Sequence, residues 1–186
     1  MMRFVSDFAA VLVAAQAGDA DAWVHLYRTY AGPIAGYLRL QGATDVDDLT
    51  SEVFLGVLRG IGRFRGDESQ LRSWVFVIAH RRLQDQRRAW FRRPPDVPLD
   101  DTAAAHAGAG DVETDALRAL SAERVRELCA GLSSDQRDVV LLRMVGDLSL
   151  EQVAEVLGKT TGAVKALQHR AISALERSLA GEGVSP

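Results

Sequence analysis

Apolar residues recur at i, i+3, i+4 and i+7 along most of this 186-residue chain, the period of α-helices that each bury one face. Asp7 to Ala17 reads as a short apolar helix closed by Gly18. Asp19 caps a second helix with Trp23, Leu26, Tyr27 and Tyr30 on one side. Pro33 is expected to kink or interrupt it, and Ile34, Tyr37 and Leu38 continue it. Thr44 or Asp45 caps a third helix, whose stripe is Val46, Leu49, Val53, Phe54, Val57, Leu58 and Ile61. A loop from Gly62 to Ser69 leads to a fourth, roughly Gln70 to Phe91, burying Leu71, Trp74, Val75, Ile78 and Leu83.

The helical pattern stops at Arg92-Arg93-Pro94-Pro95. Residues 92–114 hold Pro98 and an Ala/Gly run and few large apolar side chains, so they read as a flexible linker. Helices resume from Val112 to Ala130, with Leu117, Leu120, Val125 and Leu128 near one face, and Gly131 stops that one. Ser133 or Ser134 caps the next, which carries Val139, Val140, Leu142 and Met144 and ends at Gly146. Ser149 to Leu157 is short and stops at Gly158. Thr160 or Thr161 caps the last, with Val164, Leu167, Ala171, Ile172 and Leu175 facing inward. Strand signals are absent: no alternating run is bounded by Asn-Gly or Asp-Gly turns. The expected fold is all-α, two small helical domains joined by a linker. The boundaries are 1–91, 92–114 and 115–186.

Composition narrows the class. With 47% hydrophobic and 25% charged residues the chain is an ordinary globular protein. No apolar run approaches the ~20 residues that span a bilayer, and the N-terminus lacks a signal-peptide core, so the expected location is the cytoplasm. The one cysteine, Cys129, has no His partners at ligand spacing and reads as a small buried side chain. No metal and no cofactor is expected. Net charge is −3, but it is unevenly spread: Arg81 to Arg93 holds six arginines and one acid, Asp85.

Three constellations carry chemistry. From Ser149 to Leu175, a short helix, a glycine turn and a Thr-capped helix form a helix-turn-helix pattern. Ala154 is small where the helices approach, and Leu150, Val153, Leu157, Val164 and Leu167 supply a shared core. The second helix presents Thr160, Thr161, Lys165, Gln168, His169 and Arg170, side chains suited to major-groove base edges and phosphates. The second constellation is the loop Arg63, Phe64, Arg65, Gly66, Asp67, Glu68, Ser69 and the following helix with Arg72, Arg81, Arg82, Arg87 and Arg88. Cations beside aromatic rings suit single-stranded nucleic acid, and the loop can hold a base taken out of its stack. Trp74 reads as core; Phe76, Trp90 and Phe91 are open between core and stacking. The third is Asp45, Asp48 and Glu52 on one side of a helix beside Leu49 and Phe54. Acids suit a helix N-terminus, which covers the first turn and not Glu52, and an interface with a basic partner is the equal alternative.

Together these motifs resemble one family. Asp45 to Arg59 is similar to the core-polymerase-binding region 2.2 of extracytoplasmic-function (ECF) sigma factors. Arg63 to Leu83 resembles their regions 2.3 and 2.4, and residues 132–176 their region 4, including Gly162-Ala163-Val164-Lys165. The resemblance implies a sigma factor that binds core RNA polymerase and directs promoter-specific initiation. Asp45, Asp48, Leu49, Glu52 and Phe54 would dock on the β′ clamp helices, with the β flap as a further polymerase contact. Arg63, Phe64, Arg65, Asp67, Ser69, Arg72, Arg81, Arg82, Arg87 and Arg88 would read and melt the −10 element. Thr160, Thr161, Lys165, Gln168, His169 and Arg170 would read the −35 element. It also implies control by an anti-sigma factor. Ala166-Leu167-Gln168 departs from a common Ser-Arg-Leu form, removing one expected arginine. The competing reading is a helix-turn-helix regulator on a duplex operator. An enzyme is not expected: His25, His80, His106 and His169 lie in separate segments without nucleophile or metal spacing.

Overall fold

A computed structural model describes residues 7–92 and 123–181. Nearly all of the 92–114 linker, Arg93 and the Leu117–Leu120 stretch lie outside the described residues. Within them the fold is helical, with no strand. The order is α1 (Phe8–Gln16), α2 (Ala20–Leu40), α3 (Val46–Gly60), a 3-10 turn (Ile61–Arg63) and α4 (Glu68–Phe91). There follow α5 (123–129), α6 (Ser134–Met144), α7 (Leu150–Leu157) and α8 (Thr161–Gly181).

Helix starts follow local cap chemistry. Asp7 accepts from Ala9 N and Asp19 from Ala22 N. Asp67 with Gln70, Ser133 with Gln136 and Ser149 with Gln152 form reciprocal capping boxes. The box at Asp67 starts α4 at Glu68, so Glu68 and Ser69 are helical and the loop shrinks to residues 64–67. Asp45 precedes α3 in the left-handed region (φ 51°) and its side chain caps nothing. α2 runs through Pro33 without a break. The ring is only half-buried, and Ile34, Tyr37 and Leu38, all at 0% exposure, pin the second half of the helix to the core. That packing outweighs the one backbone bond proline removes.

The core is continuous between the two halves. Ile34, Leu38, Val53, Leu71, Val75 and Phe76 from the first share one cluster with Leu141, Leu142, Leu148 and Val153 from the second. Tyr37 meets Phe76 edge-on at 5.7 Å. A satellite cluster of Cys129, Leu132, Val140 and Ala171 joins α5 and α6 to α8. Five residues of the expected stripes stay outside: Tyr27, Leu58, Val125, Met144 and Ile172 are exposed. Leu58 and Ile172 each lie one residue, a turn of about 100°, from a buried neighbour, Val57 and Ala171.

Candidate nucleic-acid interface

The helix-turn-helix is built as its spacing predicts. Gly158 closes α7 in the left-handed conformation at φ 62°, open to glycine at little cost. Thr160 Oγ1 then accepts from Ala163 N at 3.2 Å and starts α8. Val153, Ala154, Val156 and Val164 are buried between α7 and α8. Lys159 Nζ reaches Asp135 Oδ2 at 2.9 Å and ties the turn to α6. On the outer side Thr160, Lys165, His169 and Arg170 are exposed. Thr161 and Gln168 are half-buried, and Gln168 Oε1 is shielded without a hydrogen-bond partner. Four of the six expected duplex-reading side chains are therefore fully presented.

The second basic surface is anchored from behind. Trp74 stacks on Phe64 at 5.3 Å and packs against Gly60, where an added Cβ would stand 2.6 Å from Trp74 Cζ2. Gln16 of α1 donates to the carbonyls of Ile61 and Phe64, both at 2.9 Å. These contacts hold the 3-10 turn and the loop in one place. Arg65 folds back onto its own loop through the carbonyls of Phe64 and Gly62. Asp67 is a helix cap, and Trp74 is half-buried beneath the loop.

The arginines of α4 have separate jobs. Arg72 lies over the Tyr30 ring at 5.6 Å, Arg82 pairs with Glu52 at 3.7 Å, and Arg88 pairs with Asp85. Arg87 donates to Gln41 O and Oε1 at 2.9 and 3.0 Å, a structural role. Among the described residues, Arg63 and Arg81 are exposed and make no ion pair or hydrogen bond. Phe76 is fully buried, while Trp90 and Phe91 are 52% and 86% exposed beside the basic helix end.

On α3, Asp45, Asp47, Asp48 and Glu52 all face solvent. Leu49 is buried and supports the helix from inside; Phe54 is half-buried, with Tyr27 at 4.6 Å. Val24, Tyr27, Leu55 and Leu58 are exposed on α2 and α3, an apolar supplement to the acids that periodicity alone had assigned to other faces or left out.

A polar cluster joins the halves. Tyr37 Oη and His80 Nδ1 are 2.8 Å apart, and Gln41 Nε2 donates to Asp138 Oδ1 at 2.5 Å. Burial pushes the Asp138 carboxyl above the usual range, with His80 and Arg87 opposing it. Burial pushes the His80 imidazole down, against the pull of Asp138. Sequence reasoning missed this cluster, because no local pattern marks which of many surface-type residues meet across the fold. Among the described residues no group of His, Cys, Asp and Glu could hold a metal ion, and no helix is long and apolar enough to cross a membrane.

Comparison with known proteins agrees with this layout. The family models for Sigma-70 region 2 and Sigma-70, region 4 match residues 26–92 and 122–175. The ECF RNA polymerase sigma factor SigD of Mycobacterium tuberculosis is 32% identical over 182 residues, 94% of this chain and 84% of SigD. The chain belongs to the ECF sigma factors. BldN, an ECF sigma factor of Streptomyces coelicolor, is 34% identical over 168 residues, 89% of this chain; the chain spans 63% of the length of BldN. The solved structure of CnrH, in complex with the cytosolic domain of CnrY, shares the fold, with a TM-score of 0.67 at 24% identity over 94% of this chain and 97% of that one. Membership makes this ECF sigma factor an initiation factor of transcription and not an enzyme.

Proposed function

We propose that this chain, working in the cytoplasm, carries core RNA polymerase to promoters whose −10 and −35 elements its two halves read separately. Residues 1–91 form the polymerase-docking and −10 half, 92–114 the linker, and 115–186 the −35 half. On α3, Asp45, Asp48 and Glu52 meet the β′ clamp helices over the supporting Leu49 and Phe54. Arg63 and Arg81 make the first phosphate contacts of the −10 strand, with Phe64, Arg65, Ser69, Arg72, Arg82 and Arg88 around them. Asp67 and Arg87 contribute by holding the helix start and the α2–α4 contact. Thr160, Lys165, His169 and Arg170 enter the major groove of the −35 duplex, flanked by Thr161 and Gln168. An anti-sigma factor covers these surfaces until initiation is needed. The observation that carries the reading is the pairing, in one chain, of an exposed recognition helix and a separately anchored arginine-and-aromatic loop.

The test is transcription in vitro. Core polymerase, promoter fragments and the protein are mixed, and start sites are sequenced. Protein-dependent starts that share motifs about ten and thirty-five base pairs upstream support the reading. Failure to initiate where control sigma factors succeed, with tight binding to a selected duplex, would favour an operator-binding regulator.

A further inference from the structure

Arginine dominates the cations of this chain. Of its 22 lysines and arginines only two are lysines, Lys159 and Lys165, and both lie in the helix-turn-helix. The distinction is chemical: a lysine amine freed of its proton is a nucleophile, whereas a guanidinium keeps its proton and its charge. The two lysines are placed differently. Lys159 Nζ is engaged by Asp135 Oδ2 at 2.9 Å, and its side chain is 32% exposed. Lys165 stands on the outer face of α8, with neither ion pair nor hydrogen bond among the described residues. His169 is exposed one helical turn further on, a surface neighbour of Lys165. From His169 a cavity of about 500 Å³ opens between α8 and the start of α6. Its polar lining is His169, Arg170, Ser173 and Arg177 of α8 and Gln136 of α6. Arg170 and Arg177 make no ion pair or hydrogen bond, and no carboxylate lines the cavity, among the described residues.

We propose that Lys165 is an acylation site: an acyl phosphate seated between Arg170 and Arg177 passes its acyl group to Lys165 Nζ, and the modified helix no longer holds −35 DNA. The last clause rests on the proposed function. Residues 170, 173 and 177 share one face of α8, so two cations flank one hydroxyl, a fit for a phosphate dianion. His169 and Arg170 form the end of the cavity nearest Lys165, within about 7.5 Å of helical rise. The chemistry balances without a redox step. His169 takes one proton from the Lys165 ammonium and passes it to water. The freed electron pair of Nζ attacks the acyl carbon. The C–N bond forms as the acyl C–O bond breaks, and the phosphate leaves with that electron pair and the second amine proton, as hydrogen phosphate. The product is a neutral amide, which has lost the positive charge that Lys165 offers to the groove. Lys159 is spared because Asp135 holds its amine against α6.

The test uses the full chain and acetyl phosphate. Peptide mass spectrometry follows acetylation of the two lysines with time. Lys165 should react at least about tenfold faster than Lys159, an advantage in keeping with a positioned base. His169→Gln should remove most of that advantage. Arg177→Gln should slow Lys165 by about fivefold, the upper range for an exposed ion pair, and leave Lys159 unchanged. Inorganic phosphate, which competes for the cavity, should slow Lys165 alone. Equal rates at the two lysines overturn the proposal, and so does a Lys165 rate indifferent to both Arg177→Gln and phosphate. The consequence is read by anisotropy of a fluorescein-labelled duplex DNA 20-mer of mixed sequence. Acetylation should weaken binding by the wild type several-fold at low salt, where each lost charge counts most. Lys165→Arg, which offers no amine to acylate, should bind the same before and after treatment. An equal fall in that variant overturns the silencing. Mass spectrometry needs no DNA. Selective acetylation of Lys165 in a chain that never binds duplex therefore upholds the site and counts against the −35 reading alone.

Discussion

Gln41 donates from Nε2 to Oδ1 of Asp138 at 2.5 Å, joining α2 to α6 across 97 positions of sequence. A carboxylate this deep needs donors, and Gln41 supplies one while Arg87 holds the glutamine from its other side. His80 completes the group, facing Tyr37 of α2, Arg87 of its own helix, and Asp135 and Asp138 of α6.

This arrangement has a pH signature. Burial lowers the His80 imidazole from its ordinary 6.5, with Arg87 helping and Asp138 opposing. The packed state binds that proton less tightly than the unfolded chain. The His80 contribution is therefore complete above about 6.5 and declines as pH falls through it. Asp138 acts in the opposite sense: its raised carboxyl favours the packed state in acid, and that contribution is lost as pH rises through the raised value. Asp138→Asn leaves the His80 effect alone and removes the charge that raised it. Ring-proton NMR should find His80 titrating below 6.5 in the wild type and lower still in the variant. An upward move in Asp138→Asn would mean that another neighbour controls the ring.

Gly60 and Trp74 set the loop. Because a Cβ at Gly60 would stand 2.6 Å from Trp74 Cζ2, Gly60→Ala must push the indole and unstack Phe64. Overpacking of this kind costs about 1–3 kcal/mol. Thermal unfolding should show that loss. Single-stranded DNA binding should fall as well, because the loop that carries Arg63 loses its support. Full binding by a folded Gly60→Ala protein would remove the loop from the −10 surface.

Two buried tyrosines should respond oppositely to loss of the hydroxyl. Tyr30 Oη is buried without a partner, and burial raises its phenol to about 12. Tyr30→Phe keeps the ring beneath Arg72 and should leave stability unchanged or raise it by up to about 1 kcal/mol. Tyr37→Phe strips the partner from His80 Nδ1 and should lose about 1–2 kcal/mol. The raised phenol of Tyr30 favours the folded state fully below pH 10, and that advantage fades as pH rises through about 12. Denaturant melts of the two variants at neutral pH decide the matter, and equal losses would contradict the assignment of Tyr30 as unpartnered.

What could be read along the chain was what is local. Asp19, Ser133, Ser149 and Thr160 cap their helices as expected, because a cap bond spans only three residues. The helix-turn-helix was legible for the same reason. Pro33 does not interrupt α2, since core burial of Ile34 and Tyr37 holds the second half of the helix and no local rule contains that packing. The arginine run was legible as charge but not as roles: Arg87 is structural only because Gln41 happens to face it. Gln16, which holds the loop from α1, carries no sequence mark at all.

The acidic face of α3 can be separated from the fold. Asp48 is exposed and Asp47 beside it is exposed too, so Asp48→Arg buries nothing and removes no core contact. Its effect on stability should stay within about 0.5 kcal/mol. Affinity for core polymerase should drop by at least about tenfold, roughly 1.4 kcal/mol, when an acid facing a basic partner becomes a base. Undiminished co-purification of the variant with polymerase would move the docking site off this helix.

The exposed face of α8 gives the last and most specific expectation. Lys165 and Arg170 lie outside on the recognition helix, and neither makes an ion pair or hydrogen bond among the described residues. Replacing either by Ala should therefore leave the fold intact. A side chain that meets phosphate weakens binding to every duplex alike and reduces the slope of log affinity against log salt by about one. A side chain that reads a base edge costs about 1–3 kcal/mol on the cognate −35 sequence and relaxes preference at one position. Arg170 lies five residues, or about 7.5 Å, further along α8 than Lys165. Groove geometry favours N-terminal side chains for base contact. The expected division is base reading by Lys165 and phosphate contact by Arg170. Titrations of Lys165→Ala and Arg170→Ala on cognate and scrambled duplexes at several salt concentrations separate the two, and a reversal of the pattern would require α8 to enter the groove further along its length.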